Sequence, residues 1–249
     1  MARVQAEEPG ALRDHRVPIP AAVMCDVLAL GERSDIDITT LRAVLAVCMQ
    51  YAFFGRPGTG ATLRTEDIGV TSTHIFVRKF KEKGKAHTRD RRVHQLPLTG
   101  KGTKYLRRLA PLLQRFKTER ESAFRTRGFE PSASFWALPR ESAPTTSAVN
   151  DWLREVLHAI GKSAPEGFAW QAHSLRSGAA SAAHCIGVSM LQIRFMGGWA
   201  PNSATVERDY IDPTFRADFA ASQWFGWLLP HRPRVQISDH MICDYVDNE

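Results

Sequence analysis

One run, Leu41–Phe54 (LRAVLAVCMQYAFF), limits the folds open to this chain more than any other. At helical spacing its apolar residues fall on nearly every face, so other elements have to cover it from all sides. Thr39 or Thr40 is placed to cap its start, and Gly55-Arg56-Pro57-Gly58 stops it. More helical patterns surround it. AAVMCDVLALG follows Pro18 and Pro20 and ends at Gly31, a C-terminal cap. Residues 101–127 are basic and amphipathic, with Pro111 as a break or kink. There Leu106, Leu109, Leu112 and Leu113 mark the buried face, and Arg107, Arg108, Arg115 and Lys117 the wet one. Residues 129–144 form a loop rich in Pro, Ser and Ala. AVNDWLREVLHAI is then started by Thr146 or Ser147 and closed by Gly161. Only His74–Phe80 and Arg91–Pro97 have strand character. The expected class is therefore α+β, mainly α-helical, with a small antiparallel β-sheet.

Charge narrows the partner. The 249 residues carry a formal +7, but the segment from His74 to Gly128 holds 17 Lys and Arg against 4 Asp and Glu, a local excess of +13. Much of it lies in and beside KEKGKAHTRD, the loop between the strands, with Gly84 at its turn. Lys79, Lys83, Lys85, Arg89, Arg91, Arg92, Lys101 and Lys104 make this the electrostatic footprint of a phosphate backbone, and double-stranded DNA the expected partner. The four cysteines form no CxxC pair, which argues against zinc, and Cys48 reads as a small core residue. No disulfide framework, secretory leader or ~20-residue apolar span is visible. The expectation is an intracellular, DNA-associated protein without membrane contact.

The chemistry gathers late in the chain. His173-Ser174-Leu175-Arg176 opens a run of small residues that ends at Gly187. On a helix, His173 and Arg176 share a face and reach one ligand. The small residues after them (Ala179, Ala180, Ser181, Ala182, Ala183) let that helix pack closely against a neighbour. A short helix, VSMLQIRFMG, then delivers Gly198-Trp199, where glycine permits the tight turn that presents the indole at a pocket edge. Tyr210 follows in ERDYIDP. A phenol is mostly protonated at neutral pH, so a nucleophilic tyrosine needs neighbouring cations. TFRADFAASQWFGWLL, residues 214–229, reads as one further aromatic helix that packs on the core.

The order Arg56, Asp67-Ile68, a hairpin lysine, His173-x-x-Arg176, Gly198-Trp199 and Tyr210 resembles the catalytic domain of the tyrosine recombinases, the phage-integrase family. The resemblance covers roughly residues 37–213. It implies that Arg56 leaves the buried helix into the active site, and that Asp67-Ile68 begins the first strand. It implies cleavage and rejoining of DNA through a 3′-phosphotyrosine, as in site-specific integrases of mobile elements, with no cofactor and no metal. Tyr210 is then the nucleophile, Arg56 and Arg176 clamp the scissile phosphate, and His173 and Trp199 assist. A hairpin lysine protonates the leaving oxygen: Lys81 fits best by distance from Asp67, with Lys83 and Lys85 as rivals. Residues 1–36 are expected as a partly disordered segment, 37–230 as the catalytic domain and 231–249 as a tail. The family grips DNA between two domains and works as a tetramer on DNA. The short leading segment therefore implies one-sided, weak binding here, and a separate DNA-binding partner or further N-terminal region. Two other readings share these residues: type IB topoisomerase-like relaxation, and a catalytically inactive DNA-binding protein of the same fold.

Overall fold

The computed structural model describes residues 17–78, 93–216 and 218–230. At its centre is helix α2 (Ile38–Ala52), in which every residue from Leu41 to Ala52 is buried. Helices α1 (Ala21–Gly31), α4 (Lys104–Thr126), α5 (Ala148–Ala159) and α6 (Ala172–Cys185) pack around it. This is the arrangement that an all-round apolar helix demands. The cap of α2 is Asp37 rather than Thr39 or Thr40: its carboxylate accepts the Thr40 N–H at 2.7 Å. That bond holds the Asp37 carboxyl below the usual aspartate range.

Gly31 belongs inside α1 and not at a left-handed end. A Cβ there would stand 2.8 Å from Val44 Cγ1 and 3.1 Å from Leu112 Cδ1, so the glycine serves the close approach of α1 to α2 and α4. Ile19, Met24, Val27 and Leu28 from this leading segment lie in the same core as α2.

Strands β1 (Ile68–Val70), β2 (His74–Arg78) and β3 (Val93–Pro97) form an antiparallel sheet in that order, with Gly69 opposite Phe76 and Ile75 opposite Leu96. Ile75, Val77 and Leu96 point into the core, the period-2 pattern of a half-buried sheet. β1 begins at Ile68, directly after Asp67, close to where the family resemblance put the first strand.

Helix α4 runs unbroken through Pro111 for 23 residues. Its apolar stripe continues on both sides of the proline, from Leu106 and Leu109 to Leu113 and Phe116, and packs on α1 and α2. That packing outweighs the lost N–H and makes the expected break unnecessary. The loop 129–144 is fastened from two sides. Arg120 donates to the carbonyls of Ala137, Ser132 and Ser134 at 2.9, 2.7 and 2.8 Å. Arg42 pairs with Glu141 and donates to Trp136 O.

The expected helix over 214–229 is shorter, α9 (Phe219–Phe225) followed by a 3-10 turn, Gly226–Leu228. Asp218 stops it from beginning earlier, by accepting the Ala221 N–H at 3.0 Å in the manner of an N-cap. Its other oxygen takes the Ala22 N–H of α1 at 3.1 Å, so one carboxylate joins two helix starts. Trp224 and Phe225 are fully buried against Tyr51. Among the described residues no helix is long and apolar enough to cross a membrane.

Candidate active site

Helix α6 begins where it does because three polar groups hold its first turn. Gln171 N–H donates to Ser174 Oγ at 3.1 Å, Ala172 N–H to Asn150 Oδ1 at 2.7 Å, and Gln50 Nε2 to Ala172 O at 2.8 Å. The first turn is thus tied to α5 and to α2. His173 sits there half-buried, with Arg176 one turn further along the same helix. The small residues that follow do allow a close neighbour. A Cβ on Gly178 would lie 2.3 Å from Ile19 O, and Ile19 N–H donates to Ser174 O at 3.2 Å.

Arg176 is 1% exposed. One guanidinium nitrogen, Nη1, donates to Phe54 O. That carbonyl is aimed by an unusual turn. Phe54 ends the α2 region at φ 52°, a left-handed conformation that costs a non-glycine residue roughly 1–2 kcal/mol. The fully buried Phe54 ring, packed 5.1 Å from Phe225, offsets that strain. The same turn sends the chain through Gly55, whose N–H donates to Gln50 O at 2.8 Å, into Arg56. Arg56 is the half-buried residue preceding the short helix α3 (Pro57–Ala61).

The other two Arg176 nitrogens, Nε and Nη2, are buried without a hydrogen-bond partner. Desolvation pulls the Arg176 pKa down to about 9, and the nearby Arg56 charge presses in the same direction. The Tyr210 side chain acts against both, by its charge and by an approach too loose to satisfy Nε or Nη2 as a hydrogen bond. A buried cation with two unmet donors and a second cation beside it is a site short of negative charge.

Two aromatic rings close around that guanidinium. Its carbon lies 3.5 Å from the Trp199 ring centroid and 5.2 Å from that of Tyr210. The two rings meet edge to face with centroids 5.1 Å apart. Trp199 arrives from helix α7 (Met190–Gly197), capped by Ser189 and ended by Gly198 at φ 68°. The indole lies back over its own helix end, so a Cβ on Gly197 would fall 1.7 Å from Trp199 Cζ3. Tyr210 follows helix α8 (Thr205–Asp209), which Glu207 ties to α7 through an ion pair with Arg194.

The structure thus brings Arg176, Trp199 and Tyr210 into contact, with Arg56 near enough for its charge to act on Arg176 and His173 one turn earlier on α6. Lys81 lies outside the described residues, as do Lys79, Lys83, Lys85, Arg89, Arg91 and Arg92. Lys101 and Lys104 are exposed at the start of α4. Sequence reasoning missed Phe54, Gly197 and Ser181 as parts of the site. Only the glycine pair at 197–198 carried a local signal of a tight turn.

No protein-family model and no curated protein matches this sequence. Solved structures do match in fold. XerH site-specific recombinase bound to palindromic difH substrate superposes with a TM-score of 0.56 at 14% identity, covering 78% of this chain and 50% of that one. XerA recombinase gives 0.54 at 18% identity, covering 88% and 66%. A lambda integrase(75–356) dimer bound to a COC′ core site gives 0.50 at 16% identity, covering 82% and 62%. The chain spans about half the length of the XerH chain it matches. The fold is that of a tyrosine-recombinase catalytic domain, as the sequence order implied.

Proposed function

We propose that this chain cleaves and rejoins DNA strands through a covalent phosphotyrosine, with Tyr210 as the nucleophile. The observation that carries the reading is the buried Arg176: two unmet donors, a neighbouring Arg56 charge, and the Tyr210 ring 5.2 Å away. A phosphodiester is the anion that fits. It supplies acceptors for Nε and Nη2 and relieves the charge excess.

In the proposed step the Tyr210 phenol oxygen attacks phosphorus and passes its proton to solvent water. The bond from phosphorus to the 5′-oxygen breaks, and a 3′-phosphotyrosine remains. The leaving 5′-oxygen takes a proton from a basic side chain, for which Lys81 is the candidate. Arg56 and Arg176 stabilise the added negative charge of the pentavalent transition state. Trp199 supports the guanidinium from behind, and His173 completes the pocket on α6. Attack by the freed 5′-hydroxyl on the phosphotyrosine reverses the step, so the ester bond energy is conserved and no nucleotide is consumed. The partner is double-stranded DNA. XerH and the lambda integrase are recombinases captured on DNA, the latter also as a tetramer on a Holliday junction, and the proposal extends that oligomeric use to this chain. DNA-associated localisation goes with the same reading.

The test is incubation of the 249-residue chain with supercoiled plasmid, with nicked duplexes and with randomised linear duplexes, in EDTA, followed by denaturing electrophoresis. A protein–DNA adduct is expected, and Tyr210→Phe should abolish it while leaving DNA binding in place. An adduct lost in Tyr245→Phe but kept in Tyr210→Phe would move the nucleophile. Absence of any adduct on all of these DNAs would leave a DNA-binding protein and overturn the proposal.

A further inference from the structure

Helix α6 contains one buried hydroxyl whose bonds are spent on another element. Ala179, Ala180, Ala182 and Ala183 are each 0% exposed, and Ser181 among them is also 0% exposed. For packing alone an alanine would serve there, since burying a hydroxyl costs free energy unless it is hydrogen-bonded. Serines inside helices usually bond back to a carbonyl of the preceding turn. Ser177 does so, to His173 O at 3.4 Å and Ser174 O at 3.3 Å. Ser181 instead donates to Tyr210 O at 3.1 Å and accepts the Asp212 N–H at 3.0 Å. One side chain thus grips the backbone on both sides of Ile211.

We infer that Ser181 is the positioning residue for Tyr210, setting the nucleophile in register with the arginine that receives the phosphate. The inference rests on the proposed role of Tyr210. Arg176 and Ser181 ride on one helix, five residues and about 7.5 Å of rise apart. That helix holds the guanidinium at one point and the Tyr210 main chain at the other, so the two reacting partners share one rigid frame. The frame is needed because α8 is only 5 residues long and Tyr210 lies just past its end, at φ −129° and ψ −21°. Within the segment itself, Tyr210 N–H and Ile211 N–H both donate to Val206 O at 3.0 Å, two local bonds, and the tie of α8 to α7 through Glu207 lies three residues before Tyr210. Attack at phosphorus needs alignment with the leaving oxygen, and a misplacement of about 1 Å costs on the order of 10²-fold in rate.

Ser181→Ala removes both bonds and leaves the alanine packing of its neighbours. Single-turnover cleavage at saturating nicked DNA should fall by about 10- to 100-fold. The dissociation constant for DNA and the thermal midpoint should stay near the parent values. Ser181→Thr restores a hydroxyl at the same place and should cleave faster than Ser181→Ala. A purely structural role would lower the midpoint and leave the rate per folded molecule unchanged, and that result overturns the inference. So does a parental cleavage rate in Ser181→Ala, or an alanine variant that cleaves as well as the threonine variant. Tyr210→Phe, run alongside, keeps the two ideas apart. If it abolishes the adduct while Ser181→Ala cleaves fully, only the positioning role falls. If it still forms adduct, the nucleophile assignment falls and the positioning role with it.

Discussion

Two arginines, Arg120 and Arg176, are each 1% exposed, yet they belong to different kinds of region. Arg120 on α4 spends its Nε and Nη2 on three backbone carbonyls of the loop 129–144. Its donors are aimed at acceptors that would otherwise be left bare, so the loop can lie on the core without secondary structure of its own. Arg176 on α6 gives one nitrogen to Phe54 O and holds Nε and Nη2 with no partner. Burial lowers the pKa of both. What separates them is satisfaction: the first guanidinium is a completed structural fastener, and the second keeps two donors unmet, the feature on which the proposed phosphate role rests. An unmet buried charge destabilises the free protein, and that expense is reasonable where it is recovered on binding a transition state.

The sharpest way to break this comparison is to remove each cation. Arg176→Ala should lower DNA cleavage by about 10²–10³-fold while changing DNA affinity far less, because the arginine acts on charge that develops during reaction. Arg176→Lys should fail to recover the rate, since an ammonium lacks the planar fork. Equal losses in binding and cleavage would make Arg176 an ordinary backbone contact. Arg120→Ala should do the opposite. It strands two buried carbonyls and a part-buried one and should reduce the unfolding free energy by roughly 3 kcal/mol, with cleavage per folded molecule unchanged; denaturant titration beside single-turnover kinetics checks this.

A smaller effect sharpens the picture around Arg176. Gly197→Ala places a methyl where the Trp199 ring lies, so the ring must leave the guanidinium. Overpacking of this kind costs about 1–3 kcal/mol, and cleavage should drop together with stability. An intact rate would mean that the Trp199 contact is dispensable. The smallest effect calibrates the rest on an exposed site. Asp37→Ala should cost about 1 kcal/mol through the lost α2 cap. Because the folded carboxyl titrates below its ordinary value, this contribution is present above the unfolded pKa and fades as pH falls through the folded one. Parent and variant should therefore converge in acid, and thermal melts across pH 2–7 (about the span of carboxylate titration) would reveal it.

Much of the fold could be read locally. The period of 41–54 required a covered helix, and α2 is buried along its length. Gly161, Gly187 and Gly198 end or follow helices at positive φ, as left-handed stops should. Misreadings came where a distant contact outranked a local rule. Gly31 has the look of a cap and is a packing notch against Val44 and Leu112. Pro111 has the look of a break and is carried through by the stripe of α4. Thr39 and Thr40 are good caps by residue type, but Asp37 stood one position before Ile38 with the shorter reach to Thr40 N–H. For the site, the sequence order brought out Arg56, His173, Arg176, Trp199 and Tyr210; Arg176, Trp199 and Tyr210 touch one another, and Arg56 lies near enough for its charge to act on Arg176.

By itself the sequence determined where most of the long helices lie, which one had to be central, and which residue types could handle a phosphate. These follow from periodicity and side-chain chemistry, whose reach along a helix is three or four residues. It could not determine which buried arginine would be satisfied. Arg120 and Arg176 are alike in their own helices, and their difference lies in partners fixed by tertiary structure. Phe54 O stands 122 positions from Arg176, and Ser181 reaches 29 positions to Tyr210. Hydrogen-bond satisfaction in a core is decided by where distant backbone arrives, and only the folded chain settles that.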